Sequence, residues 1–198
     1  HLATSTGTDT YSAMAASLGS LKGPKHGGAN IKVMHMLENI KENVKKRTES
    51  NVYDYVRKIL AKKAFDRTGL VYGIGHAVYT VSDPRAEVLK VYAGKLAEEK
   101  GLEEEFELYN TVAKAASELI CQQKNIDKPV NPNVDFYSGF VYSMLNLPDA
   151  LYTPLFAVAR IAGWCAHRME ELVSGGKIIR PAYECVIDRR EYIPIAKR

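Results

Sequence analysis

Apolar residues recur at three- and four-residue spacing through most of this chain, and that periodicity predicts a succession of amphipathic helices. Tyr11, Met14, Ala15, Leu18 and Leu21 mark the first, over Thr10 to Lys22, with Asp9 as its cap and Gly23-Pro24 as its end. Ile31, Met34, Leu37, Ile40 and Val44 mark a second from about Asn30 to Lys46, and Asn51 is expected to cap a third carrying Val52, Tyr53, Tyr55, Val56, Ile59 and Leu60. Asp83-Pro84 reads as a helix start, Asp as cap and Pro in the first turn, opening a helix that runs to Lys100-Gly101. The next, Glu103 to Gln123, puts Phe106, Tyr109, Val112, Ala113, Ala116, Leu119 and Ile120 on one face.

Between these runs the pattern breaks. Residues 68 to 79 are glycine-rich and β-branched and read as a loop or short extended piece. Pro129, Pro132, Asn125, Asn131 and Asn133 form a second loop that delivers Asp135 to the start of a helix through Leu145. After Pro148, a last long helix from about Thr153 to Ser174 ends at Gly175-Gly176, and an irregular tail follows. Seven or eight helices with no alternating strand give an all-α fold class.

Composition narrows the setting. With 46% hydrophobic and 25% charged residues, the 198-residue chain suits a globular protein. The net charge of +4 fits an anionic ligand, but the basic residues are mixed with glutamates and interleave with no aromatic patch, so no nucleic-acid partner is expected. Cys121, Cys165 and Cys185 lie far apart in no metal or disulfide spacing, which points to a reducing cytoplasm and to no metal ligand set. The longest apolar stretch, Leu151 to Cys165, contains Thr153, Pro154 and Arg160 and is too short to span a bilayer, so no membrane role is expected. No signal peptide is visible, and the chain begins at His1 without an initiator Met.

The candidate chemistry sits in the breaks. His26 lies between two helices beside Gly27 and Gly28, close to a helix N-terminus whose free N–H groups and positive dipole end favour an uncharged imidazole. Such a ring can hydrogen-bond to an oxygen that turns negative during a reaction. His76 sits in a similar glycine-flanked break, whereas His35 and His167 fall within helices and His1 is terminal. Asp135 is either a plain helix-start residue or a carboxylate that a helix N-terminus helps to keep ionised as a base. Arg160, embedded in Phe156-Ala157-Val158-Ala159-Arg160-Ile161-Ala162, needs an anionic partner, protein carboxylate or ligand. Arg85 and Arg180 stand beside Pro84 and Pro181; three arginines so placed suit a ligand with several carboxylates.

Four segments, Gly23-Pro24-Lys25-His26-Gly27-Gly28-Ala29-Asn30, Gly73-Ile74-Gly75-His76-Ala77-Val78-Tyr79 with Asp83-Pro84-Arg85, Asn131-Pro132-Asn133-Val134-Asp135-Phe136-Tyr137-Ser138-Gly139 and Arg160-Ile161-Ala162-Gly163-Trp164, together resemble the carboxy-terminal half of citrate synthases. The resemblance covers essentially the whole chain. It implies a helical small domain at 28–146, flanked by large-domain pieces at 1–27 and 147–198. It implies Asp135 as the base that deprotonates the methyl group of acetyl-CoA, His26 as hydrogen-bond donor to the thioester oxygen, and His76 as the group that binds and protonates the carbonyl of oxaloacetate. Arg85, Arg160 and Arg180 would hold carboxylates, the last across a homodimer. Leu70, Val71, Gly73, Gly75 and Ala77 would lie against coenzyme A, a substrate rather than a tightly bound cofactor.

Two departures from the family pattern follow. A further oxaloacetate-binding histidine belongs upstream of the first motif, before this chain begins, and His1 does not replace it because Leu2-Ala3-Thr4-Ser5 does not match that loop. Thr80 stands where relatives often carry Arg or Lys for a CoA phosphate. The 198 residues alone are therefore expected to be inactive or nearly so. The alternatives are a 2-methylcitrate synthase, which prefers propionyl-CoA, and a non-catalytic helical interaction module.

Overall fold

A computed structural model describes residues 1–23, 26–79, 81–126 and 128–197. Pro24 and Lys25 of the first motif, and the Thr80 departure, lie outside the described residues. The fold is all-α, with seven helices among the described residues: α1 Thr10–Leu21, α2 Ala29–Asn43, α3 Glu49–Leu60, α4 Pro84–Lys100, α5 Glu103–Lys124, α6 Val134–Met144 and α7 Tyr152–Ser174. The only β pairing among these residues is an isolated bridge between Ile74 and Pro132.

Capping chemistry sets most boundaries. Asp9 accepts from the Ser12 N–H at 3.0 Å to start α1. Asp83 accepts from the Arg85 N–H at 3.0 Å, with Pro84 in the first turn, to start α4. Gly101 ends α4 with φ of 67°, a left-handed conformation that costs glycine little. Two boundaries differ from expectation. Thr48, not Asn51, caps α3, because the Thr48 hydroxyl accepts from the Asn51 N–H while the Asn51 side chain instead ties back to the Lys46 carbonyl at 2.8 Å. That turn also ends α2 at Asn43, short of Lys46.

Helices α2 to α6 share one core. Val33, Met36, Leu37 and Ile40 of α2, Val52, Val56 and Ile59 of α3, Tyr109 and Val112 of α5, and Phe136 and Phe140 of α6 are all buried in it. Tyr109 stacks on Phe140 at 4.6 Å and meets Phe136 edge-on at 5.6 Å. Each such side chain contributes on the order of 1.5–3 kcal/mol through burial. The α5 stripe read from its periodicity lies in this core, with Phe106 only partly buried.

Helix α1 packs against α7 instead. Its predicted apolar face is buried only in part: Leu21 is covered and Met14 half-buried, while Tyr11, Ala15 and Leu18 are exposed and Ala13, off that face, is covered. A short helix with apolar residues on two sides buries whichever side its neighbour meets. The segment before α1 is fastened to α7 by Arg168, which is buried and donates from Nε to the Thr10 hydroxyl at 3.1 Å, from Nη1 to the Thr4 hydroxyl at 3.3 Å and from Nη2 to the Thr8 carbonyl at 3.0 Å. The arginine that α7 buries is thus Arg168 rather than Arg160. No described helix is long and apolar enough to cross a membrane.

Candidate active site

The loop before α4 and the loop before α6 are zipped together. The Gly75 N–H donates to the Asn131 carbonyl at 2.8 Å, and the Asn133 N–H to the Gly73 carbonyl at 2.9 Å. The Asn133 amide nitrogen reaches the Gly75 carbonyl at 2.8 Å, and that of Asn131 reaches the Val81 carbonyl. Gly73 is required here: its φ is 75°, and a Cβ would come within 2.8 Å of Val33 Cγ2 and 3.0 Å of the Phe136 backbone. The zipper sets His76 and the first turn of α6 side by side.

Asp83 completes this unit. Its side chain is only 1% exposed, and it accepts from Arg85 Nε at 3.0 Å, from Arg85 Nη2 at 2.8 Å and from the Val134 N–H at 3.2 Å. One carboxylate therefore fixes an arginine and the helix start that carries Asp135. These charged and backbone donors hold the Asp83 carboxyl below its usual range against the opposing effect of burial, the Arg85 side-chain bonds contributing most. Sequence alone marks Asp83 only as a cap; the Arg two positions on is the signal that it does more.

His76 has a defined hydrogen-bonding state. Its Nδ1 accepts from the Val78 N–H at 3.0 Å and, more weakly, the Tyr79 N–H at 3.3 Å. A neutral ring so bound carries its proton on Nε2, and that nitrogen lies 3.4 Å from Arg85 Nη2. Two donors this close can both point to one oxygen acceptor set beside them. The Tyr79 ring packs on both partners, 4.8 Å from the His76 ring and 5.2 Å from the Arg85 guanidinium.

His26 comes from the opposite side. Its N–H donates to the Gly23 carbonyl at 3.0 Å, and its carbonyl accepts from the Ala29 N–H at the start of α2. Gly27 fits because a Cβ there would collide with the Leu21 carbonyl oxygen, and its own carbonyl accepts from the Thr153 hydroxyl at 3.0 Å, fastening the turn to α7. The His26 ring meets Phe156 edge-on at 5.5 Å. It lines a cleft of about 370 Å³ between α1 and α7 that Arg160 also lines. Arg160 is half-buried with its guanidinium 4.9 Å over the Phe156 ring, and it pairs with no carboxylate among the described residues.

Asp135 is where the two sides meet. Burial pushes its carboxyl above the usual range; the electrostatic influence of His26, Arg85 and His76 pulls the other way, and Asp83 adds to the rise. The helix N-terminus expected to help keep this group ionised is therefore opposed by burial. The first-turn cap is Asn133, which accepts from the Asp135 N–H at 3.0 Å, and burial of the Asp135 side chain outweighs the favourable charges. The structure thus puts Asp135 within electrostatic reach of His26, His76 and Arg85, and brings Arg160 to the cleft that His26 lines. Arg180 lies exposed in the tail after α7. In the 70–77 loop, Leu70 and Ala77 are exposed and Val71 is buried in the core, so Val71 offers a ligand only backbone.

Comparison with known proteins bears on this arrangement. Residues 1–182 match the family model described as citrate synthase, C-terminal domain. The chain is 43% identical over 195 residues to a citrate synthase of Synechocystis, covering 98% of this chain and 45% of that protein. It is 35% identical over 195 residues to a 2-methylcitrate synthase of Shewanella oneidensis, covering 98% and 47%. A citrate synthase of Thermoplasma acidophilum, solved as a ternary complex with carboxymethyl coenzyme A and oxaloacetate, superposes with a TM-score of 0.73 at 33% identity, covering all of this chain and 49% of that one. The chain spans a little under half the length of these relatives.

Proposed function

Since the chain belongs to the citrate synthase family, we propose that it carries the acyl-CoA half of a condensing site that joins acetyl-CoA, oxaloacetate and water into citrate and free coenzyme A. The observation that supports this most is the shared surroundings of Asp135, whose buried carboxyl feels His26, His76 and Arg85 from three separate turns. A methyl group beside a thioester is a weak carbon acid. Its deprotonation needs a base of raised basicity and an oxyanion donor placed together in a site closed to water.

In this reading Asp135 takes a proton from the acetyl methyl while His26 hydrogen-bonds to the thioester oxygen as the enol or enolate forms. The resulting carbon attacks the carbonyl carbon of oxaloacetate. His76, with its proton on Nε2, delivers that proton to the carbonyl oxygen, and Arg85 beside it holds an adjacent carboxylate. Water then cleaves the citryl thioester. Arg160 holds a further carboxylate, Arg180 serves a neighbouring subunit of a homodimer, and the 70–77 backbone lies along coenzyme A.

The same reading assigns 28–146 to a small domain, supported by the single core from Val33 to Met144, and 1–27 with 147–198 to a large domain, supported by the packing of α1 on α7. It places the protein in the cytoplasm.

Thiol release from acetyl-CoA on adding oxaloacetate tests the proposal, run on the 198 residues and on any longer translation product that contains them. The expected results are little or no turnover from the 198 residues and turnover from the longer product that falls at least about a thousandfold in Asp135→Asn, the scale on which a positioned general base acts. A longer product that turns over neither acetyl-CoA nor propionyl-CoA refutes it. Faster turnover of propionyl-CoA identifies a 2-methylcitrate synthase instead.

A further inference from the structure

In the cleft that His26 and Arg160 also line, His1 meets the last turns of α7. His1 Nε2 lies 3.0 Å from His167 Nδ1 and 3.4 Å from Glu170 Oε2, and His167 Nδ1 lies 3.4 Å from the same oxygen. We propose that His1, His167 and Glu170 form a zinc(II) site that clips the segment before α1 to α7, independent of the reaction proposed above.

The spacing carries the argument. A tetrahedral zinc ion with ligand bonds of roughly 2.0–2.1 Å sets its ligand atoms about 3.3 Å apart. The three separations here match that edge. The protonation pattern agrees. His1 Nδ1 lies 2.7 Å from Glu171 Oε2, so this nitrogen carries the proton and Nε2 presents a lone pair to the other two groups. That is the outer carboxylate that metal-bound histidines commonly use to fix tautomer and ring orientation. Two imidazole lone pairs and a carboxylate oxygen then face one point. A single shared proton satisfies one of the three contacts; a dication satisfies all three, and its charge balances Glu170 and Glu171. The fourth position faces solvent and suits a water.

His1 is also held in place without metal. The Ser5 N–H donates to the His1 carbonyl at 2.8 Å, and the Arg168 bonds to Thr4, Thr8 and Thr10 pin the same segment to α7. A site held in this way binds with less ordering cost. The sequence gives no hint of it, because His1 and His167 are 166 positions apart and neither belongs to a metal spacing.

The experiment titrates Zn(II), and Co(II) as its visible reporter, into the 198-residue chain. The chain carries a Gly-Ser extension before His1, which removes the terminal amine from the site, and no polyhistidine tag. The expected result is one-to-one binding with an intense, tetrahedral-type Co(II) absorption. His167→Ala and Glu170→Gln should weaken it more than about tenfold, and Glu171→Gln about 10–100-fold, as outer-shell losses do. Zinc should also raise the Tm of the parent chain but not of His167→Ala. His167→Ala and Glu170→Gln change exposed side chains and Glu171→Gln a largely covered one, and circular dichroism verifies that all three fold. Equal affinity of the parent and both His167→Ala and Glu170→Gln, or an octahedral-type Co(II) spectrum, overturns the proposal.

Discussion

Asp83 grips Arg85 with both oxygens, Oδ1 on Nε at 3.0 Å and Oδ2 on Nη2 at 2.8 Å, while Oδ2 also receives the N–H of Val134 at 3.2 Å. A cap residue of one helix thereby sets the first turn of another. Asp83→Ala should destabilise the chain by about 2–3 kcal/mol, less than a fully buried pair because Arg85 is 43% exposed. Urea denaturation at neutral pH measures this. The Asp83 carboxyl is held below its ordinary value of 3.8, so its contribution is complete above that value and is lost as pH falls through the lower folded-state value. The gap between the two proteins should therefore close only in strong acid.

Asp135 has the opposite sign. Its folded-state value is raised above the ordinary 3.8, so the folded chain binds that proton more tightly than the unfolded chain does. Stability from this group is fully present below 3.8 and is lost as pH rises through the raised value. Asp135→Asn should thus increase Tm at pH 7, with a gain that shrinks to nothing as the pH is lowered past 3.8. Thermal melts of the two proteins across that range check it. The same substitution should remove turnover, so at this position stability and activity oppose each other.

Gly73→Ala should cost roughly 1–3 kcal/mol, from a positive φ together with a Cβ within 2.8 Å of Val33 Cγ2. The strain falls on the Gly73 carbonyl that receives the Asn133 N–H, so the proposed CoA binding should weaken along with stability. Isothermal titration with CoA and chemical denaturation report the two effects. Unchanged values for both contradict the zipper's role.

Arg168→Ala should lower stability by about 2–4 kcal/mol, because it leaves the Thr8 carbonyl and the Thr4 and Thr10 hydroxyls without a donor. Arg168→Lys should recover little of this, since one ammonium cannot reach three acceptors spread over a planar fork. Proteolysis near the N-terminus, followed by mass spectrometry, should show faster cleavage of residues 1–10 in both variants.

Local chemistry made much of this protein readable from its residues. Asp9, the Asp83-Pro84 pair and Gly101 terminate helices through hydrogen bonds and φ preferences that involve only near neighbours, and the α5 stripe follows from periodicity alone. The turns holding His26, His76 and Asp135 were legible for the same reason: glycine, proline and asparagine interrupt periodicity wherever they fall. What tertiary structure decided are quantities that depend on distant partners. Packing on α7 chose which side of α1 is covered and which arginine of α7 is buried, Arg168 rather than Arg160. Burial raised the Asp135 carboxyl against the help of its helix start, because desolvation depends on everything around a carboxyl and a helix start only on its own turn. The meeting of His1 with His167 across 166 positions belongs to this second kind: no local rule relates residues so far apart, and only the folded path of the chain brings their ring nitrogens to 3.0 Å.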